Sequence, residues 1–331
     1  MKHLSKSAMR RAFCAVLLLS RMSLSSGDAG PARVEDSAKD AIYDCQVPQA
    51  AEAPARAAEF GAASWDKNKL GCAADIWFSL ASAPKADAVT MLQTLLATTR
   101  YIDHVNTLWS YDLYGVRTPE WAARLQHAIE HGKSIEVRLG EVVPDDPNAL
   151  AARALFKVTW PLRVAETRTQ LSETRAAMAL LEKAVAGDPA ALGGNALWVL
   201  GRLYYEMPAF AGGDTVKALA LLDEAHRRTP DSISLLRYTA YVYAQEGNAA
   251  LARRKLQELL PIEARASELQ LMADELKNAG DLAVRLGDSG LVGQLGTKRG
   301  ALLKAHTQLL RRQVTAANMH GGVDPITGKD Y

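Results

Sequence analysis

No catalytic signature is present in this sequence. It has no phosphate-binding glycine loop, no nucleophile elbow and no convincing metal set, and its scattered serine, histidine and aspartate residues do not compose a triad. A one-sided charge is missing too, since the formal charge is +2 over 331 residues. Five of the basic residues, Lys2, Lys6, Arg10, Arg11 and Arg21, precede Ser26 with no acid among them; the rest of the chain carries 34 basic and 37 acidic residues, a net of −3. That balance lacks the electrostatic footprint of a nucleic-acid-binding protein, so no nucleic acid is expected as a partner. Apolar runs of membrane-spanning length are also lacking: Ala12 to Leu19 is too short to cross a bilayer as a stable anchor. No cofactor and no metal are expected, and the chain reads as a binding protein before an enzyme.

What the first residues do have is the layout of an export signal. Lys2, Lys6, Arg10 and Arg11 lead into the run Ala12 to Leu19, and Ser23-Leu24-Ser25 offers a small-x-small cleavage site. Arg10-Arg11-Ala12-Phe13 is a weak form of the twin-arginine variant. Residues 1–25 are therefore expected to be an export signal to the periplasm, and residues 26–47, small, polar and turn-rich, a mobile leader. Cysteine is scarce, with three in all, and removing the signal removes Cys14 and leaves Cys45 and Cys72. In an oxidising compartment that pair is a disulfide candidate; closing the loop would contribute about 3 to 4 kcal/mol in the chain-entropy model. Two unpaired buried thiols are the alternative.

The strongest positive signal is a spacing carried twice. Ala177, Leu181, Ala184 and Pro189 recur as Ala218, Leu222, Ala225 and Pro230. Small residues at such steps mark where two helices cross closely, and proline closes each unit, as in tetratricopeptide hairpins. The offset is 41 residues, longer than the roughly 34 of the standard repeat. Leu200, Gly201 and Tyr204 sit on first-helix steps, and the excess falls in Met207 to Asp214, an enlarged hairpin loop. The next unit is closer to standard, with Leu236, Ala240, Tyr243, Gly247, Ala252 and Leu256 on the expected steps and Gly247-Asn248 as the turn. A weaker unit runs through Ile135, Leu139, Val142 and Pro147.

The fold class expected is therefore all-α, a tetratricopeptide-like helical-hairpin array (α-solenoid) with flanking capping helices. Its domain spans residues 48–320, with the clearest repeats at 160–261 and an exposed tail at 321–331. Flanking helices are expected over Ala50 to Ala63, after Lys85-Ala86-Asp87, from Pro119, over Ala264 to Lys277 and over Arg299 to Val314. The last has a stripe of Leu302, Leu303, His306, Leu309, Leu310 and Val314, which suits a capping helix or, alternatively, a membrane-surface helix.

Three groups of residues invite a functional reading. His127-Ala128-Ile129-Glu130-His131 fits the H-x-x-E-H pattern of inverted zinc peptidases, but those enzymes are built on mixed sheets; a solvated helix end before Gly132 accounts for the same residues. Trp109, Tyr111, Tyr114 and Trp121 cluster around Gly115, either capping a passage or filling an irregular hairpin. Finally, Arg202, Tyr205, Phe210 and Tyr241 lie off the consensus packing steps near the enlarged loop and on the following first helix. First helices line the concave face of such arrays, so these four are the candidates for binding a ligand or partner, with core packing as the alternative.

The stretch Leu200-Gly201-Arg202-Leu203-Tyr204, then Pro208, Gly212-Gly213-Asp214, Lys217-Ala218, Glu224-Ala225 and Thr229-Pro230-Asp231, resembles the T-component family of TRAP transporters. The resemblance covers about Met178 to Leu260 and rests most on the Pro/Gly-Gly-Asp loop. It implies a periplasmic, all-helical body that associates with the substrate-binding protein of a TRAP importer and can form a homo-oligomer, a trimer with a passage through each subunit. The family type is a lipoprotein, whereas here Cys14 stands at the start of the apolar run and no lipobox cysteine follows it, so a lipid anchor is not expected. The function expected is thus an exported, non-catalytic protein assisting solute uptake, which binds or passes a small, partly hydrophobic ligand. The alternative is a cell-envelope scaffold that takes a peptide or partner helix in its groove.

Overall fold

Alanine- and leucine-rich segments bounded by proline, aspartate and glycine leave helix as the local solution nearly everywhere. A computed structural model describes residues 52–62, 67–83, 85–109, 119–265 and 268–318. The segments expected to be an export signal, a leader and an exposed tail, together with Cys45 and the aromatic cluster around Gly115, lie outside the described residues or their described side chains. Among the described residues the protein is all-α, with no strand. The order is α1 (Ala53–Ala62), α2 (Lys67–Ala81), α3 (Ala88–Trp109), α4 (Pro119–Val142), α5 (Pro147–Thr159), a single turn α6 (Pro161–Val164), α7 (Thr167–Gly187), α8 (Asn195–Glu206), α9 (Thr215–Arg228), α10 (Ile233–Gln245), α11 (Ala249–Gln257), α12 (Leu269–Arg285) and α13 (Ser289–Asn318). The chain divides into two compact units, Met1–Leu221 and Leu222–Tyr331.

In the first unit, consecutive helices pair as hairpins: α1 with α2, α2 with α3, α3 with α4, and α7 with α8, while α5 packs on α7 and α3. One core joins α3, α4 and α5 through Met91, Leu95, Ile102, Ile129, Ile135 and Phe156. A second joins α5, α7 and α8 through Leu150, Ala154, Ala177, Leu181, Leu200 and Tyr204. The repeated alanines do what their spacing predicts. Ala177, Ala184, Ala218 and Ala225 are all fully buried, and a residue this small lets neighbouring backbones approach. Helix ends are set by side chains: Asp87 accepts from the Thr90 N–H at 2.7 Å, and Asp146 accepts from the Ala149 N–H at 2.8 Å just ahead of Pro147.

Two expectations about α4 are corrected. The helix does not end before Gly132 but runs to Val142. Gly132 is there because α5 presses on it: a Cβ at this position would lie 2.2 Å from Phe156 Cε2. Val142 is not a core step either; it is 58% exposed, and Val143 packs against the core in its place as the helix ends. Across the same contact Arg153 Nε donates to the buried Glu136 carboxylate at 2.9 Å, and Lys157 reaches both Glu136 and Glu173 on α7.

In the second unit α10 pairs with α11 and α12 with α13, and α10 also packs on α12. Its core includes Leu236, Ala240, Leu256, Met272, Leu276 and Leu295. Arg237 on α10 donates to the buried Glu275 of α12 at 2.6 Å. The terminal hairpin differs from the expected bounds: α12 begins at Leu269, and α13 is one helix of 30 residues from Ser289. Gly287, at φ 70°, makes the turn, and Asp288 accepts from the Leu291 N–H at 3.0 Å to start α13. Among the described residues no helix is long and apolar enough to cross a membrane.

Candidate functional site

The first unit holds a cavity of about 910 Å³, at the upper end of the size of small-molecule pockets. Its walls come from α1, α2, α3, α5, α6 and α8. Trp77 on α2 and Trp198 on α8 supply its aromatic surface, and Leu96, Leu155, Val158 and Val199 much of its aliphatic surface. The α2–α3 wall is fixed by Thr94, whose hydroxyl lies 2.9 Å from the Trp77 carbonyl. The α1–α3 wall is tied by Arg100, whose Nη1 donates to the Gly61 carbonyl at 2.9 Å.

The approach to α8 is made by an unusual turn. Leu192 (φ 50°, ψ 40°), Gly193 (φ 66°, ψ 30°) and Gly194 (φ 87°, ψ −3°) are left-handed in succession. Left-handed backbone costs a residue with a Cβ about 1 to 2 kcal/mol, and Leu192 adopts it in a place where its N–H is held by Asn148 Oδ1 at 2.8 Å. Its side chain packs against the α3–α4–α5 and α5–α7–α8 cores and lines the cavity. The strained residue is therefore part of the wall.

Arg202 is one helical turn after Trp198, and both side chains face the cavity. Its guanidinium carbon lies 5.6 Å from the Trp198 ring centroid, and its Nε donates to Glu206 Oε1 at 2.7 Å. Arg100 and Asp103 bring a second basic and acidic side chain to the cavity on α3. The hydroxyls of Thr99 and Thr159, which also line it, donate to the Leu95 and Leu155 carbonyls of their own helices at 2.7 and 2.8 Å.

Of the four sequence candidates, then, the structure places Arg202 in the cavity wall. Tyr205 is half-buried and packs against the α5–α7–α8 core. Phe210 is 80% exposed on the one-turn 3₁₀ segment Ala209–Ala211. Tyr241 belongs to the second unit, half-buried against its core with its ring centroid 6.0 Å from that of Tyr238. Neither Tyr205 nor Phe210 lines the cavity. Trp77, Arg100 and Leu192 do so, and no local pattern in the sequence marked them. Cys72 is disulfide-bonded, while Cys14 and Cys45 both lie outside the described residues.

Near the enlarged loop a polar chain ties α7, α8 and α9 together. Tyr204 Oη donates to Glu182 and accepts from Lys217 Nζ at 2.5 Å. Burial and the Glu182 hydrogen bond raise the Tyr204 pKa, so the phenol keeps its proton and serves as a fixed donor. The two histidines of the H-x-x-E-H segment lie on α4 with ring centroids 3.6 Å apart, and His131 stacks on Phe78. Burial, and next the neighbouring His127, push the His131 pKa down to about 4. Among the described residues no three or more His, Cys, Asp or Glu side chains gather where they could hold a metal ion.

Fold and cavity together define a helical-hairpin protein with a ligand-sized, mostly apolar chamber that carries a half-buried ion pair. No family model matches the chain, and no curated protein matches it.

Proposed function

We propose that this is an exported, non-catalytic helical-hairpin protein that assists solute uptake by binding or passing a small, partly hydrophobic ligand in the cavity of its first unit. The observation that carries the reading is the cavity itself: about 910 Å³, walled mainly by two tryptophans and aliphatic side chains, with polar side chains in the minority. The resemblance of the Pro/Gly-Gly-Asp loop to the TRAP T-component family supports a periplasmic location, a substrate-binding protein as partner and a homo-oligomeric, trimeric state. Native mass spectrometry of the protein recovered from the periplasm tests this. A stoichiometric extra mass of a few hundred daltons supports solute handling, and a clean apo mass with a co-isolated protein points away from it.

One observation favours a second reading, an envelope interaction scaffold. Phe210 and Val216, six residues apart across the enlarged loop, are both 80% exposed, and exposed apolar side chains set close in sequence suit a protein contact. Capture of a defined envelope protein by the wild type but not by Phe210→Ala would support it.

A further inference from the structure

Among the described residues the charges in the cavity wall are matched: the basic side chains Arg100 and Arg202 are balanced in number by the acidic Asp103 and Glu206. Arg202 and Glu206 lie one helical turn apart, in contact at 2.7 Å, with side chains 35% and 26% exposed. Arg100 and Asp103, three residues apart on α3, are exposed and stand where the wall meets solvent. The threonine hydroxyls donate to their own helices, so Gln93 and Asn195, both exposed, are the remaining uncharged amides of the wall.

An entering anion would have to compete with Glu206 for Arg202, and an entering cation would have to compete with Arg202 for Glu206. In a space lined mainly by leucine, valine, alanine and tryptophan, the displaced partner would be left poorly solvated, a cost that a neutral ligand avoids. Like-charge contact with the remaining partner also suppresses wrong ligands. A ligand without net charge keeps the ion pair intact and can hydrogen-bond to its outer atoms, while its apolar part lies on Trp77 and Trp198.

We propose that the cavity selects amphiphiles of zero net charge, and that Glu206 sets this selectivity by neutralising Arg202. The inference rests on the cavity's being the ligand site. Its test uses four probes sharing one indole ring: 3-methylindole (uncharged), tryptophan (zwitterion), indole-3-acetate (anion) and tryptamine (cation). Each is titrated calorimetrically at neutral pH into the full-length exported protein and into Glu206→Gln. For the wild type, the tighter of the two net-neutral probes is expected to bind at least about tenfold better than either ion. In Glu206→Gln, indole-3-acetate is expected to gain about tenfold or more while 3-methylindole changes by less than about twofold.

A wild type that prefers either ion overturns the inference but leaves the cavity as a binding site. So does a folded Glu206→Gln protein with the wild-type order. Failure of all four probes to bind overturns the cavity reading itself, and the inference with it. Should Glu206→Gln not fold, the wild-type order alone decides.

Discussion

Two turns in this molecule perform the same task at different lengths. After α10 the chain turns within Gly247 and Asn248. Gly247 is left-handed at φ 79°, the Asn248 N–H returns to the Tyr243 carbonyl at 2.8 Å, and the Asn248 side chain caps α11 by accepting from the Leu251 N–H at 3.1 Å. After α8 the chain takes Met207 to Asp214. Gly212 is left-handed at φ 106°, the Asp214 N–H returns to the Tyr204 carbonyl at 2.9 Å, and the Asp214 side chain caps α9 by accepting from the Lys217 N–H at 3.0 Å. Both turns thus satisfy an orphan carbonyl of one helix and cap the next. The added residues of the longer turn are not needed for closure; they present Phe210 to solvent while the adjacent Ala211 is buried.

Gly212 and Gly247 share a positive φ in open space, but Gly213 of the longer turn is required for a different reason, which is where the comparison breaks most sharply. A Cβ on Gly213 would lie 1.7 Å from the Met207 carbonyl oxygen, a backbone atom that cannot rotate away. Gly213→Ala is expected to destabilise the protein by about 3 kcal/mol, read as a lower urea midpoint. Gly247 has open space around it and needs only its positive φ. Gly247→Ala should cost about 1 to 2 kcal/mol, and Gly247→Asn less, because asparagine tolerates left-handed backbone. Equal losses at Gly213 and Gly247 would dissolve the distinction.

Asn248→Ala removes a cap and is expected to lower stability by about 1 kcal/mol, with Asn248→Asp retaining most of it. The smallest stability effect is expected at the tip of the long turn. Phe210→Ala should move the unfolding free energy by less than about 0.5 kcal/mol, while weakening the capture of a ligand or partner if the tip is a contact. A large loss of stability there, with binding unchanged, would assign Phe210 to packing.

The repeat was legible because close helix crossings leave a local mark. Ala177, Leu181 and Ala184 and their counterparts Ala218, Leu222 and Ala225 are all fully buried, on steps that the chain prints twice. Glycine was the main source of misreading. In α4, Gly132 signals a helix end locally but is demanded by Phe156 from another helix. In α13, Gly290, Gly293, Gly296 and Gly300 lower helix propensity, yet packing on α12 holds the helix through all of them. The cavity was only partly legible. Arg202 stood out by being off the packing steps, but Trp77 and Trp198 are brought to one cavity by helices far apart in sequence, and Leu192 is left-handed where nothing local asks for it.

The central claim is that the first unit's cavity is where this protein holds a small molecule. Ala97, half-buried on α3, lines that cavity, so Ala97→Trp would fill part of it from a rigid helix. The decisive measurement is native mass spectrometry of wild type and Ala97→Trp, both recovered from the cells that make them, with circular dichroism confirming that the variant is folded. The account predicts a stoichiometric small molecule on the wild type and its loss from the folded variant. A wild type that carries none, or a folded variant that keeps it, would contradict the account.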